Sequence, residues 1–134
     1  MMIIGLTGSI ASGKSTISAM LKEKGYPIID ADLVARLVVE PGTSNLQEIE
    51  REFGSSVINK DGTLNREALG KLIFNDPAKR KQLNELMHPA IRSEMFRQRD
   101  EHLKSGQKTL IMDIPLLFES RLQHFVDKIL VVSV

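Results

Sequence analysis

A chain of 134 residues, 42% hydrophobic and 26% charged, fits a single soluble globular domain that buries a core without covalent staples. The net charge of +1 supplies no global field toward nucleic acid or an anionic membrane, so any phosphate recognition has to be local. Cysteine is absent, which excludes disulfides and thiolate metal sites, and no apolar run approaches the roughly 20 residues that a membrane span needs.

The first predicted element is a strand over Met2–Thr7, a short apolar run ahead of a glycine-rich turn. Gly8 to Ser15 then matches G-x-x-x-x-G-K-[ST]. Successive backbone N–H groups in such a loop all face a polyphosphate, provided that glycine permits the tight turn. The following helix adds its free N–H groups and the positive end of its dipole. In this pattern Lys14 reaches the β- and γ-phosphates as a point charge, and the Ser15 hydroxyl stands ready for Mg²⁺. Ile17, Met20 and Leu21 carry the helical spacing onward, and Gly25 ends it.

Tyr26–Ile29 reads as a second strand and Asp30–Glu40 as a helix broken by Pro41-Gly42. Asp30 and Asp32 lie at the carboxyl end of that strand, where ligands sit in open α/β sheets. Asp32 shares a helix face with Arg36. A carboxylate there either caps the helix or accepts a proton from an attacking hydroxyl. Both readings of Asp32 stay open on the sequence.

A helix is expected over Ser44–Phe53, and Gly54–Thr63 reads as a loop with turn chemistry at Asn59-Lys60-Asp61-Gly62. That tetrapeptide resembles a guanine reader but has glycine where the reader needs aspartate, so it is taken as a turn. Asn65 caps a helix to about Phe74, and Asp76-Pro77 starts another. The latter pattern runs to Lys104, with an expected interruption at His88-Pro89 and a restart that puts His88 and Arg92 on one face. Three histidines are too scattered for a metal cluster. Lys108–Asp113 is the third predicted strand and Asp127–Val134 the fourth. Asp113, ending an apolar strand, is either a Mg²⁺ partner or simply a terminal acid.

Strands separated by helices imply an α/β fold with a parallel sheet. The helices between the second and third strands exceed what a crossover needs, which implies an inserted helical subdomain. A final apolar strand with nothing after it reads as a chain incomplete at its carboxyl end, since a buried parallel strand wants a following helix.

Taken together, "GLTGSIASGKST", "IIDADLVARLVVEPG", "DGTLNREALGKLIF", "LMHPAIR", "PLLFE" and "ILVV" resemble the dephospho-CoA kinase family, in that order and across essentially the whole chain. The resemblance implies a P-loop nucleoside-triphosphate hydrolase fold, sheet order 2-3-1-4-5 with the fifth strand absent here. It implies a core of 1–43 and 105–134 and a helical acceptor-binding subdomain of about 44–104. The implied reaction moves the ATP γ-phosphoryl group to the 3′-hydroxyl of dephospho-CoA, with Mg²⁺. Apart from the resemblance, the amino terminus lacks a signal-peptide pattern and no apolar run suits a membrane span, so the cytoplasm is the default expectation. Gly8, Ala11, Ser12, Gly13, Lys14, Ser15 and Thr16 would hold the ATP phosphates, with Ser15 and Asp113 toward the metal. Asp32 becomes the base beside Lys14. Arg36, His88 and Arg92 would contact the acceptor or prop its pocket, and Pro115, Leu116 and Leu117 would line its cleft. No nucleic-acid or membrane partner is implied.

Two features depart from the family pattern. Ser9 stands where the family commonly has glycine. The family also continues for roughly half as much chain again, which supplies a helix, an arginine-bearing lid, a fifth strand and adenine contacts. The 134 residues alone are therefore expected to bind nucleotide weakly and turn over slowly, because lid arginines are worth about three to five powers of ten in rate. The fourth strand is expected to be an exposed apolar edge. Alternative readings are another P-loop kinase acting on a nucleoside, nucleotide or sugar acid, and a nucleotide-binding module without catalysis.

Overall fold

A computed structural model of the chain describes residues 1–8, 13–114 and 123–132. They form two compact units, Met1–Val34 with Met95–Val134, and Ala35–Glu94.

The first unit is built on four parallel strands in the order β2-β3-β1-β4: β1 Met2–Gly8, β2 Ile28–Asp30, β3 Thr109–Asp113 and β4 Lys128–Val132. Parallel strands must be joined by crossovers and are apolar on both faces. Leu6, Ile29, Leu110, Ile111 and Met112 are accordingly buried. On one face α1, Lys14–Glu23, packs Ile17 and Leu21 against Leu6, Ile111 and Val132. On β1, a side chain at Gly5 would stand 3.2 and 3.3 Å from the Val126 methyl groups and 3.5 Å from the end of Ile114. The absent Cβ is what lets these apolar groups close over the central strand.

β2 begins two residues later than the sequence pattern suggests. Tyr26 still belongs to the end of α1, its N–H donating to the Leu21 carbonyl at 3.1 Å. Pro27 has no N–H to give to a ladder and contributes only its carbonyl, which accepts from Ile111 N–H at 3.0 Å. Asp30 consequently ends the strand, and the next helix, α2, is short, Ala31–Leu37. Beyond it Val39 and Glu40 turn back through i→i−3 bonds to Arg36 and Leu37.

Among the described residues β4 is the sheet edge, hydrogen-bonded to β1 alone. Ile129, Leu130 and Val131 are 38%, 47% and 56% exposed, so the expected apolar edge is present. Its entry is pinned by a residue that periodicity does not flag. Asp127 accepts the Ile3 N–H on its carboxylate at 2.7 Å, and its own N–H donates to the Ile3 carbonyl at 2.7 Å. Hydrogen bonds to a charged group contribute about 1.5–3 kcal/mol, less at an exposed carboxylate. Asp127→Ala is expected to cost about 1–2 kcal/mol in urea denaturation, a loss that Asp127→Asn partly restores.

The second unit is helical. α3, Ser44–Phe53, has the bounds that its pattern predicts and is capped by the Thr43 hydroxyl, which accepts from Leu46 N–H at 3.2 Å. α4, Arg66–Ile73, is capped by Asn65, whose side chain accepts from Ala68 N–H at 3.0 Å. Val39, Leu46, Ile49, Val57 and Leu69 form its buried core. Val57 reaches that core from a 3₁₀ turn, Ser55–Val57, inside the segment read as loop. An antiparallel bridge, Ile58 to Leu64, then closes the turn around Gly62.

In that turn Asp61 accepts the Thr63 hydroxyl at 2.6 Å and the Thr63 N–H at 3.0 Å. These bonds favour the carboxylate and hold its pKa below the ordinary 3.8. A depressed carboxyl pKa stabilises the fold fully above the ordinary value, and that contribution is lost as pH falls through the lowered one. An NMR titration of Asp61 should therefore show a midpoint below 3.8, and Thr63→Val should bring it back up.

α5, Pro77–Lys104, starts where Asp76-Pro77 predicts, with Lys79 N–H donating to the Asp76 side chain at 3.1 Å. The expected interruption at His88-Pro89 does not occur: Pro89 lies inside one continuous helix of 28 residues. Proline removes a single backbone bond there, and the turns on both sides suffice to carry the helix across it. Gly106, at φ 83°, ends the element as expected.

Candidate active site

The site is assembled at the carboxyl ends of the strands. Register places Asp113 level with Asp30 on one side and Leu6 on the other, and β1 runs two residues further to Gly8. Chain reversal into α1 passes through Gly13, whose φ of 86° is left-handed. A Cβ at Gly13 would meet nothing within 4 Å, so the backbone conformation rather than space calls for glycine. α1 has no acidic residue in its first turn and no side-chain cap, so nothing within it neutralises the positive end of its dipole. Lys14, Ser15 and Thr16 occupy that first turn, with Ser15 and Thr16 exposed. Ala11 and Ser12 lie outside the described residues, as do Pro115, Leu116 and Leu117.

Lys14 and Asp113 meet directly. The ammonium nitrogen stands 2.6 Å from Asp113 Oδ1, with both side chains only 15% exposed. It also donates to the Ile114 carbonyl at 3.2 Å. That carbonyl is fixed in turn, because Ile114 is buried and its own N–H donates to Leu6 O at 2.9 Å. The lysine of the glycine-rich loop and the acid of the third strand, 99 residues apart by their numbers 14 and 113, thus share one ion pair. The sequence places both near phosphate but carries no signal that they touch each other, or that a backbone carbonyl takes part.

Asp30 and Asp32 separate cleanly. Asp30 Oδ1 accepts from Asp32 N–H at 2.9 Å and from Leu33 N–H at 3.4 Å, which makes Asp30 the cap of α2. Asp32 stands in the first turn, exposed, its carboxylate not spent on the cap. Arg36, one turn later, is exposed and belongs to the helical unit. His88 and Arg92 also belong to that unit, one turn apart on α5, with His88 half-buried and Arg92 exposed. Among the described residues no three acid or histidine side chains converge as a metal cage.

A parallel sheet ordered β2-β3-β1-β4, with the sequence G-x-x-x-x-G-K-S lying between the end of its first strand and the first turn of α1, is the architecture of a P-loop protein. The family model for dephospho-CoA kinase matches residues 2–134. The dephospho-CoA kinase of Halalkalibacterium halodurans is 53% identical over 133 residues, covering 99% of this chain and 66% of that protein. A crystal structure from Thermus thermophilus superposes with a TM-score of 0.83 at 34% identity, covering 98% of this chain and 65% of that one. A dephospho-CoA kinase from Campylobacter jejuni superposes with a TM-score of 0.78 at 29% identity, covering 96% and 64%. The chain belongs to the dephospho-CoA kinase family. It spans about two thirds of the length of the curated relatives that it matches.

Proposed function

We propose that the chain transfers the γ-phosphoryl group of ATP to the 3′-hydroxyl of dephospho-CoA. The observation that carries this reading is the reach of the family match, which runs over residues 2–134 through both units and not through the phosphate loop alone. Gly8, Ala11, Ser12, Gly13, Lys14, Ser15 and Thr16 receive the phosphates. Asp32 accepts the proton of the 3′-hydroxyl as its oxygen bonds to the γ-phosphorus and the bond to the β–γ bridging oxygen breaks, releasing ADP. Support for that role comes from Asp30, which takes the capping duty and leaves the Asp32 carboxylate exposed. Lys14 offsets negative charge on the phosphates.

The donor set suits Mg²⁺, which usually keeps several waters and takes one or two carboxylates together with phosphate oxygens. Asp113 offers one carboxylate and Ser15 one hydroxyl, and no acid cage surrounds them among the described residues. The ion would neutralise phosphate charge when bound. Arg36, His88 and Arg92 contact the acceptor, and Pro115, Leu116 and Leu117 line its cleft. The helical residues, about 44–104, serve as the acceptor-binding subdomain. The proposed place of work is the cytoplasm; among the described residues no helix is long and apolar enough to cross a membrane.

An ATP-consumption assay with and without dephospho-CoA tests the reading. Consumption should rise on adding dephospho-CoA and stay at background with adenosine or other nucleosides. Equal stimulation by nucleosides would overturn the choice of acceptor.

A further inference from the structure

We propose that Lys14 guards Asp113 against free divalent metal, so that the carboxylate becomes a metal partner only after phosphate has drawn the lysine away. The inference rests on the reading of Asp113 as a metal partner and concerns what Lys14 does before substrate arrives.

The geometry is specific. Lys14 Nζ lies 2.6 Å from Asp113 Oδ1 and 3.2 Å from the Ile114 carbonyl. An ammonium has three N–H donors, and two of them are spent on this one corner of the sheet. With both side chains 15% exposed, water competes weakly for either partner. The acceptors are rigid: Asp113 is held in the β3 ladder and Ile114 by its N–H to Leu6. A hydrated Mg²⁺ approaching Asp113 would have to displace an ammonium already in contact and also shed water, which it does reluctantly.

Phosphate changes the balance. Lys14 sits in the first turn of α1, where backbone N–H groups and the helix dipole draw an anion to the same place. A triphosphate gives the ammonium several anionic oxygens in exchange for one carboxylate oxygen and one carbonyl. The departing lysine frees Asp113 while phosphate oxygens become available to the same ion. One pair of side chains thereby makes metal capture conditional on nucleotide, through the flexible four-carbon stem of Lys14.

Mn²⁺ binding, followed by the loss of the free-ion EPR signal, tests this without any turnover. Lys14→Ala, free of nucleotide, should bind Mn²⁺ at least tenfold more tightly than the unaltered chain. Adding Asp113→Asn to Lys14→Ala should cancel that gain. Lys14→Gln should also gain affinity, since an amide keeps length but not charge. Thermal unfolding of each variant establishes that it is folded. A Lys14→Ala affinity equal to the unaltered chain's, or a gain that survives Asp113→Asn, would overturn the guard. The underlying reading is tested separately, by Mn²⁺ affinity in the presence of a non-hydrolysable ATP analogue. If Asp113→Asn weakens binding there but Lys14→Ala gains nothing without nucleotide, the guard alone is wrong. If Asp113→Asn has no effect there, Asp113 is no metal partner and both ideas fall.

Discussion

Asp32→Asn is expected to lower turnover with dephospho-CoA by about two to four powers of ten, the usual worth of a positioned general base. ATP affinity and the melting temperature should hardly move. Of the two neighbouring aspartates, only Asp30 holds the helix. Asp30 accepts the N–H groups of Asp32 and Leu33, so α2 keeps its cap when Asp32 loses its charge. The substituted amide is nearly the same size as the carboxylate, stays exposed and retains an oxygen, but it is too weak a base to take a hydroxyl proton. The matching variant is Asp30→Ala. It should cost about 1 kcal/mol of stability through the lost cap. Turnover would then fall through loosening of α2, and Asp30→Asn or Asp30→Ser, both good caps, should restore it. A pair of variants in which Asp30→Ala unfolds earlier and Asp32→Asn turns over slowly separates the two duties. Undiminished turnover in Asp32→Asn would remove Asp32 from the chemistry.

That separation shows where sequence reading reaches and where it stops. Two carboxylates at i and i+2, at the start of a helix, have the same composition signal for capping and for proton transfer. Only the hydrogen bonds from Asp32 and Leu33 N–H to Asp30 give Asp30 the capping duty and leave the Asp32 carboxylate open for the proposed proton transfer. The caps at Thr43, Asn65 and Asp76 fall where an oxygen-bearing side chain precedes an apolar period, and α3 and the starts of α4 and α5 are met closely. Local rules carry such features because the determining partners lie three residues away. Pro89 shows the opposite. Its local rule predicts a break, yet the cost of one missing bond is spread over a helix of 28 residues. Contacts between distant residues leave still less trace. Asp127 holding Ile3, and Lys14 holding Asp113, join residues that no periodicity relates. The sheet order was accessible only through family resemblance, since a parallel sheet can be threaded in several ways and the strands themselves read alike.

Lys14→Ala is expected to lose both ATP affinity and turnover, which sets it apart from Asp32→Asn. Truncating one partner of a desolvated, hydrogen-bonded charge contact costs about 2–4 kcal/mol, or roughly thirty- to a thousandfold in affinity. The side chain that is removed stands in the first turn of α1, beside N–H groups that face the same anion, so the remaining backbone donors keep some binding. Lys14→Arg should rescue poorly. Its guanidinium is a broad planar fork, whereas the native ammonium fits as a point charge between Asp113 Oδ1 and the Ile114 carbonyl. The folded state also responds, because Asp113 at 15% exposure is left without its cation, and a modest fall in melting temperature should accompany the loss. Titration with a fluorescent ATP analogue measures the affinity, and ATP consumption measures the turnover. If Lys14→Ala abolished the biological activity while Asp32→Asn left it intact, and neither chain consumed ATP with dephospho-CoA, the chain would be a nucleotide-binding module without catalysis. If Lys14→Ala bound and turned over ATP as the unaltered chain does, the glycine-rich stretch would be a structural turn and the phosphoryl-transfer proposal would lose its donor site.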